Sequence, residues 1–348
     1  MSTILLGERD VRDLLTYPEC IERMDEVLRS LAEGDVVQPV RTTVALPGGE
    51  RLLGMMPGYL GSPPTLGVKA IAVVPGNRGV GRPAHQGVVV LFDPTTGEPT
   101  GILEASSVTE IRTASVSAVA TRALAVPDAS VLGILGSGVQ ARAHALAIPH
   151  VRPIARLRLW DRDPARARAL AEDLRAATSR DVEISESAEV VVRSSDILCT
   201  TTASRAPWLK GEWLRDGTHV NAVGAATTGH RELDPSAVRR ARVFVDHRAS
   251  ARADADELRV SPPGRPSASD VVSGELGEVL LGRVAGRTSP KEVTLFKSVG
   301  LAAEDLAAAR SLVERATALG RGIRVDLTLA PRPRPPPSTE DGPPVGRR

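Results

Sequence analysis

The sequence predicts an α/β protein built on a doubly wound parallel sheet, with a second part of α+β character. Three observations predict this. An apolar run, a glycine turn and a helical pattern follow one another over residues 131–147. Strand and helix candidates then alternate as far as Asp246, which is the texture of a parallel sheet with crossover helices. Before them, from Gln38 to Leu103, short apolar runs are broken by Gly and Pro, which reads as a mostly antiparallel sheet. At 348 residues the chain is too long for one ordinary core and suits two domains.

In chain order, Thr16 with Glu19 reads as a capping box, and Ile21, Met24, Val27, Leu28 and Leu31 form an apolar stripe that ends near Gly34. A first helix is therefore expected from Tyr17 to Glu33. Strands are expected at Arg41 to Leu46, Arg51 to Pro57, Gly67 to Val74, Val88 to Asp93 and Thr100 to Leu103, with a hairpin turn at Pro94 to Gly97. A helical stretch, Ser107 to Ala125, carries Arg112 and many small residues, and Pro127 leads into the next strand. Further strands are expected at Val182 to Ile184, Ile197 to Thr201, Thr218 to Val223 and Val243 to Asp246, and a last helix from Leu301 to Leu319. From Pro331 to Arg348 proline, arginine and glycine leave almost nothing to bury, so a disordered tail is expected at 331–348.

The segment VLGILGSGVQA at 131–141 carries the first chemistry. Gly136 suits the tight turn, Gly138 lets a backbone approach a pyrophosphate, and Ala141 lets helix and strand pack closely. The first turn of the helix offers free N–H groups and a positive dipole end to the anion. Asp161 ends the following strand, Arg156 to Trp160, 25 residues beyond Gly136, where an acid for the adenosine ribose belongs. This is a Rossmann-type dinucleotide site. Asp161 suits the free 2′-hydroxyl of NAD, whereas the adjacent Arg162 suits the 2′-phosphate of NADP, and the sequence leaves both open.

Composition excludes several classes. A formal net charge of +2 argues against an electrostatic nucleic-acid binder, and no stretch reaches the length of a membrane span. The N-terminus has no basic and apolar leader pattern, so a cytoplasmic location is expected. Cys20 and Cys199 read as reduced core residues, and the six histidines have no metal-ligand spacing, so no metal is expected. Positive charge is almost all arginine, with lysine only at Lys69, Lys210, Lys291 and Lys297. Lys69, inside the apolar GVKAIAVV, reads either as an ammonium needed because it can lose its proton or as an edge-strand lysine with its head in water.

The ordered set QPVRTTV, LGMMP, GVKAI, HQGVVVLFD, EIRTAS, GSGVQA, GEW, HVNAVGA, GELGEV and LFKSVG, running from about Gln38 to Asp305, resembles the ornithine cyclodeaminase and mu-crystallin family. The resemblance implies a Rossmann domain (121–299) inserted in a substrate-binding and dimerisation domain (1–120 plus 300–330), and a homodimer formed through the latter's sheet. It implies that Arg41, Lys69 and Arg112 hold the substrate, chiefly its carboxylate, with Val299 beside them, and that Lys69 and Arg112 are catalytic. Chemistry agrees: an α-imino or α-amino acid must be held with Cα towards the nicotinamide, and an arginine does so by two-point contact. Lys69 could pass a proton to the nitrogen if neighbouring Arg41 and Arg112 lower its pKa. The resemblance places the coenzyme on Arg112, on Gly136, Ser137, Gly138, Val139 and Gln140, on Asp161 and Arg162, on Thr201 and Thr202, on Asn221, Ala222, Val223 and Gly224, and on Ser298.

One departure from the family pattern decides between its activities. Cyclodeaminases carry an aspartate shortly after the AsnAlaValGly segment, and Ala226 stands there instead. No carboxylate occurs between Asn221 and Glu232. Alanine cannot manage the second amine of ornithine, whereas reducing a preformed imine needs only a held carboxylate, a hydride and one proton. The expected activity is therefore NAD(P)-dependent reduction of a cyclic ketimine or other α-imino acid, or oxidation of an α-amino acid. Ornithine cyclodeaminase, with Glu232 or a Lys69-held water as proton carrier, and a non-catalytic crystallin-like protein are the alternatives. His230 is either a coenzyme contact or a loop histidine.

Overall fold

The short runs after Gln38 pair mainly with one another, as their Gly and Pro punctuation demands. The computed structural model describes residues 2–48, 51–259 and 271–327, so the expected tail at 331–348 lies outside the described residues. The first sheet is built from β1 (Thr3–Leu6), β2 (Val36–Val37), β3 (Thr42–Ala45), β4 (Leu52–Leu60), β5 (Thr65–Val73), β6 (His85–Phe92), β7 (Pro99–Glu104) and the late β16 (Ile323–Val325). Its order is β16-β1-β7-β6-β5-β4-β2, with β3 also on β4. All its pairings are antiparallel except β1 with β7. The β6–β7 turn falls at Pro94 to Gly97 as expected, held by Asp93 Oδ1, which accepts from Thr95 N at 2.8 Å and Thr96 N at 2.9 Å.

Strand β5 lies in the interior of this sheet, with Lys69 opposite Met56 on one side and Val89 on the other. Period-2 alternation sends Lys69 to the buried face. That removes the edge-strand reading of this lysine. Helices α1 (Glu8–Leu14), α2 (Tyr17–Glu33) and α3 (Ala105–Leu124) belong to this half, and the late α10 (Ala302–Ala318) packs on β4 and β5. The stripe of α2 is buried as its spacing requires, through Cys20, Ile21, Met24, Val27 and Leu28. Its start differs from the capping box expected: the Thr16 hydroxyl donates to Glu19 Oε2 at 2.7 Å and caps no backbone N–H. The Glu19 carboxylate is engaged instead by the Thr16 hydroxyl and by Arg315 of α10.

Helix α3 is buried on nearly every face, as its small residues allow, and runs against both halves of the molecule. Glu104 caps it, accepting from Ser106 N at 2.6 Å and Ser107 N at 2.8 Å. The second sheet follows: β8 (Val131–Leu135), β9 (Arg156–Trp160), β10 (Asp181–Ile184), β11 (Ile197–Thr200), β12 (His219–Ala222), β13 (Arg242–Val245), β14 (Val272–Glu275) and β15 (Thr294–Lys297). Every pairing in it is parallel, in the order β10-β9-β8-β11-β12-β15-β13-β14. Helix α4 (Val139–Ala147) follows β8, and α5 (Pro164–Ala177), α6 (Ala188–Ser194), α7 (Pro235–Arg240), α8 (Arg248–Asp254) and the short α9 (Leu276–Leu280) complete the set.

The chain winds one way through β8, β9 and β10 and returns to β11 beside β8, so the strand order reverses next to the glycine turn. Ligands of open α/β sheets bind at that crevice. Two differences from the sequence reading stand out. β15 inserts between β12 and β13, although its four residues end in a lysine and give no long apolar run; Lys297 is tolerated there because Glu257 pairs with it at 2.7 Å, both side chains being fully buried. The first fourteen residues, read only for the absence of a leader, form β1 and α1.

Candidate active site

The glycine turn is built as its sequence requires. Gly136 has φ 114°, and a Cβ there would stand 2.8 Å from Thr201 Oγ1. Thr201 is bound to the same turn, its N and Oγ1 donating to Leu135 O at 2.9 and 3.1 Å. Beyond the turn, α4 begins at Gly138 with no side-chain cap, and a Cβ on Gly138 would meet nothing within 4 Å. The buried Gln140 Oε1 has no hydrogen-bond partner among the described residues. An uncapped helix start with free N–H donors and open space before it fits a dinucleotide phosphate. Ser137 Oγ donates to Asp161 Oδ2 at 2.6 Å, and Asp163 N donates to Asp161 Oδ1 at 2.9 Å, which fixes the acid at the end of β9. Arg162 beside it is exposed.

The loops after β11 and β12 are held by a residue the sequence reading treated as a spare proton carrier. Glu232, fully buried, accepts from Thr200 Oγ1 at 2.7 Å, Thr202 N at 2.7 Å, Thr202 Oγ1 at 2.6 Å and Gly224 N at 2.9 Å. Burial, with Glu257 close by, pushes its pKa up. Four donors on one carboxylate make it a clamp rather than a proton shuttle. Thr202, Val223 and Gly224 are thereby set at the sheet's C-terminal edge, Val223 N and Gly224 N both donating to Thr200 O at 3.0 Å. The Asn221 carboxamide donates to Thr121 Oγ1 at 2.9 Å and accepts from buried His219, so this side chain ties the sheet to α3. Alternation along β12 explains it, since the side chain points to the α3 face of the sheet. His230 is a loop histidine, its Nδ1 3.2 Å from Thr227 Oγ1.

The three cations converge from separate elements. Arg112 on α3 donates through Nε to Asp305 Oδ1 at 2.8 Å and through Nη1 to Glu304 Oε2 at 2.6 Å. Lys69 Nζ lies 2.5 Å from Asp305 Oδ2 and 3.5 Å from Thr109 Oγ1. Arg41 pairs with Asp254 at 3.0 Å and donates to Val299 O and Gly300 O. Asp246, at the end of β13, accepts from Val299 N at 2.7 Å and Gly300 N at 2.8 Å, which locks the turn between β15 and α10. Gly300 has φ 78°, and a Cβ there would stand 2.9 Å from Arg112 Nη1 and 3.0 Å from Nη2. Only glycine leaves that guanidinium its place, and Nη2 is uncommitted among the described residues.

Burial draws the Lys69 pKa down to about 8, with Arg112 and Arg41 pulling the same way and Asp305 opposing. The sequence reading had ascribed the lowering to the two arginines; desolvation is the larger cause. Burial works against the Arg112 charge too, but Asp305 and Glu304 outweigh it and hold its pKa above the ordinary value. Glu304 is pushed up by burial and by Asp246 and Asp305 nearby. The acids Glu304, Asp305, Asp246 and Asp254 went unread in the sequence. Glu304 and Asp305, adjacent at the start of an otherwise alanine-rich helix, were the one available signal. Thr109 joins the two halves of the site, since Gln140 Nε2 donates to its carbonyl at 3.4 Å. Among the described residues no group of three His, Cys, Asp or Glu side chains is placed to hold a metal.

A hydride-transfer coenzyme site beside a cluster that can bind a carboxylate and move a proton is the architecture suggested by the resemblance. The family model described as ornithine cyclodeaminase/mu-crystallin matches residues 1–320. The chain belongs to the ornithine cyclodeaminase/mu-crystallin family. It is 36% identical to the ketimine reductase mu-crystallin of Mus musculus over 278 residues, which is 80% of this chain and 85% of that one. It is 33% identical to a Δ1-pyrroline-2-carboxylate reductase of Bacillus cereus over 325 residues, 93% of this chain and 100% of the other. The structure of the Thermococcus litoralis Δ1-pyrroline-2-carboxylate reductase, solved with NADH and L-proline, superposes with a TM-score of 0.90 at 34% identity, covering 93% of this chain and 100% of that one.

Proposed function

We propose that this family member is an NAD(P)-dependent oxidoreductase that reduces a cyclic ketimine or another α-imino acid at Cα and runs the reverse oxidation of an α-amino acid. The observation that carries the reading is Lys69: an ammonium buried among Arg112, Arg41 and Asp305, with its pKa near 8, linked through Thr109 to the coenzyme helix. The relatives named above support the same chemistry. Gly136 to Gln140, Asp161, Thr201, Thr202, Ala222 to Gly224 and Ser298 would hold the coenzyme. A reduced nicotinamide bound there would supply the hydride. Arg41 and Arg112 would hold the substrate carboxylate, Arg112 through the nitrogen it does not spend on its own acids. As the C=N electron pair settles on nitrogen, the Lys69 ammonium donates the proton.

Ornithine cyclodeamination fits less well, because Ala226 is in place of the aspartate and Glu232 is committed to four donors. A non-catalytic role gives no reason for burying Lys69 and Arg112 against Glu304 and Asp305, which stability alone does not reward. We infer a homodimer through the outer face of the first sheet. Supporting it, helix α10 covers one side while Val37, Val44, Leu53, Leu66 and Val88 remain exposed. Among the described residues no helix is long and apolar enough to cross a membrane. A reducing cytoplasmic setting suits Cys20 and Cys199, both free and buried. The test follows the ultraviolet absorbance of NADH and NADPH separately with pyrroline- and piperideine-2-carboxylate, beside an ornithine assay for proline and ammonia. Imine-dependent coenzyme oxidation without ornithine turnover is expected. Proline and ammonia from ornithine, with no net coenzyme change, would overturn the reading.

A further inference from the structure

We propose that Asp305 is the positioning residue of this reaction, the one carboxylate that fixes the Lys69 ammonium and the Arg112 guanidinium relative to each other. The proposal rests on the reading of Lys69 as the proton donor. Asp305 is fully buried and divides its two oxygens between the two cations, Oδ1 to Arg112 Nε at 2.8 Å and Oδ2 to Lys69 Nζ at 2.5 Å. The three side chains come from α10, α3 and β5, so this single group triangulates elements with no sequence proximity. Its neighbour Glu304 differs: it touches Arg112 and Leu301 N, and its other oxygen has no partner among the described residues. Removing Glu304 loosens Arg112 alone; removing Asp305 frees Lys69 and leaves Arg112 held by Glu304 only through Nη1.

The charges around the pair set the direction of the effect. Lys69 is faced by Arg112 from α3, Arg41 just before β3, the Thr109 hydroxyl and Asp305. Asp305 is faced by Arg112, Lys69, Glu304 and, from α2, the Cys20 thiol, which burial pushes up to about 12 and so keeps neutral. Asp305 is thus the one group on Lys69 that favours its charge, against burial and two cations. Without it the ammonium loses its proton at lower pH. Imine reduction needs the protonated form, so its fall with rising pH moves towards neutrality; amino-acid oxidation needs the free amine, so its rise moves the same way.

The experiment measures kcat/KM for imine reduction against pH in native enzyme, Asp305→Asn, Asp305→Glu, Glu304→Gln and Lys69→Met. In parallel, the coenzyme-free proteins are labelled with acetic anhydride at each pH and read by mass spectrometry, which titrates Lys69 apart from the other three lysines without turnover. The expected result is a fall displaced by at least about one pH unit in Asp305→Asn, matched by the Lys69 labelling curve, with the native position restored in Asp305→Glu and kept in Glu304→Gln. Asp305→Ser, which leaves room for a water, is read the same way if the asparagine variant does not fold. A fall and a labelling curve at the native position in Asp305→Asn or Asp305→Ser, however slow the variant, would overturn the proposal. If Lys69→Met reduces the imine as native enzyme does, the reading of Lys69 itself fails; if it is inactive while Asp305→Asn keeps the native curves, the positioning role fails alone.

Discussion

Two of the chain's four lysines are buried beside carboxylates, and they do opposite things. Lys297 ends β15 with a carboxylate of its own, Glu257 at 2.7 Å, which also accepts from Glu232 N at 2.9 Å and Leu233 N at 3.1 Å. Among the described residues, Lys69 shares its one carboxylate with Arg112 and faces a second arginine besides. The first ammonium is matched and serves to hold β15 and the Glu232 segment in place. The second is contested: burial, the larger cause, and two arginines bring its pKa down to about 8 against the pull of Asp305.

Substitution of each lysine separates these roles. Lys69→Met is expected to cut imine reduction about a thousandfold, while NADH binding measured by fluorescence titration changes little. A variant that still turns over at the native rate would break the comparison. Lys297→Met should instead retain proton transfer but lose about 3 kcal/mol of stability in denaturant unfolding, because Glu257 is left as an unpaired buried charge. Comparable activity loss at both lysines, with equal stability, would erase the distinction. A smaller effect sharpens it on the coenzyme side: Glu232→Gln should raise the coenzyme KM about tenfold with kcat nearly unchanged, since the clamp on Thr200, Thr202 and Gly224 weakens by about 1–2 kcal/mol.

The smallest effect concerns the seam beneath the second sheet. His144 donates through Nδ1 to Gln140 O and accepts at Nε2 from Ser117 Oγ, and His219 meets Thr294 and Asn221; burial draws the two imidazoles down to about 4 and about 3. Their folded values lie below the ordinary 6.5, so the unfolded chain binds protons that the native chain refuses. Stability from these neutral imidazoles is full above about pH 6.5 and declines as pH falls towards 4, by at least about 1 kcal/mol per imidazole. Unfolding free energies measured across that range check the slope.

Local patterns were legible and long-range partners were not. VLGILGSGVQA declares strand, turn and helix within eleven residues, and the stripe of α2 and the Asp93 hairpin are equally self-contained. The scarcity of lysine drew attention to Lys69, and Arg112 stood out in a helix of small residues. Their acids did not. Glu304 and Asp305 look like ordinary first-turn carboxylates favoured by a helix dipole, and only the fold carries them to α3 and β5. Glu232 and Glu257 are 25 residues apart, and nothing in the sequence ties them to each other or to Lys297. The place of Asn221 at a strand end was legible, whereas the face its side chain takes was not. β15 escaped because its position between β12 and β13 is fixed by pairings across more than forty residues.

The most direct test of the central claim is the pH dependence of kcat/KM for imine reduction by the native enzyme and by Lys69→Met. The account predicts a single fall centred near pH 8 in the native enzyme, where Lys69 loses its proton, and its absence from the residual activity of the variant. A native profile without that fall, or the same fall in a variant that has no Lys69 to titrate, would contradict it.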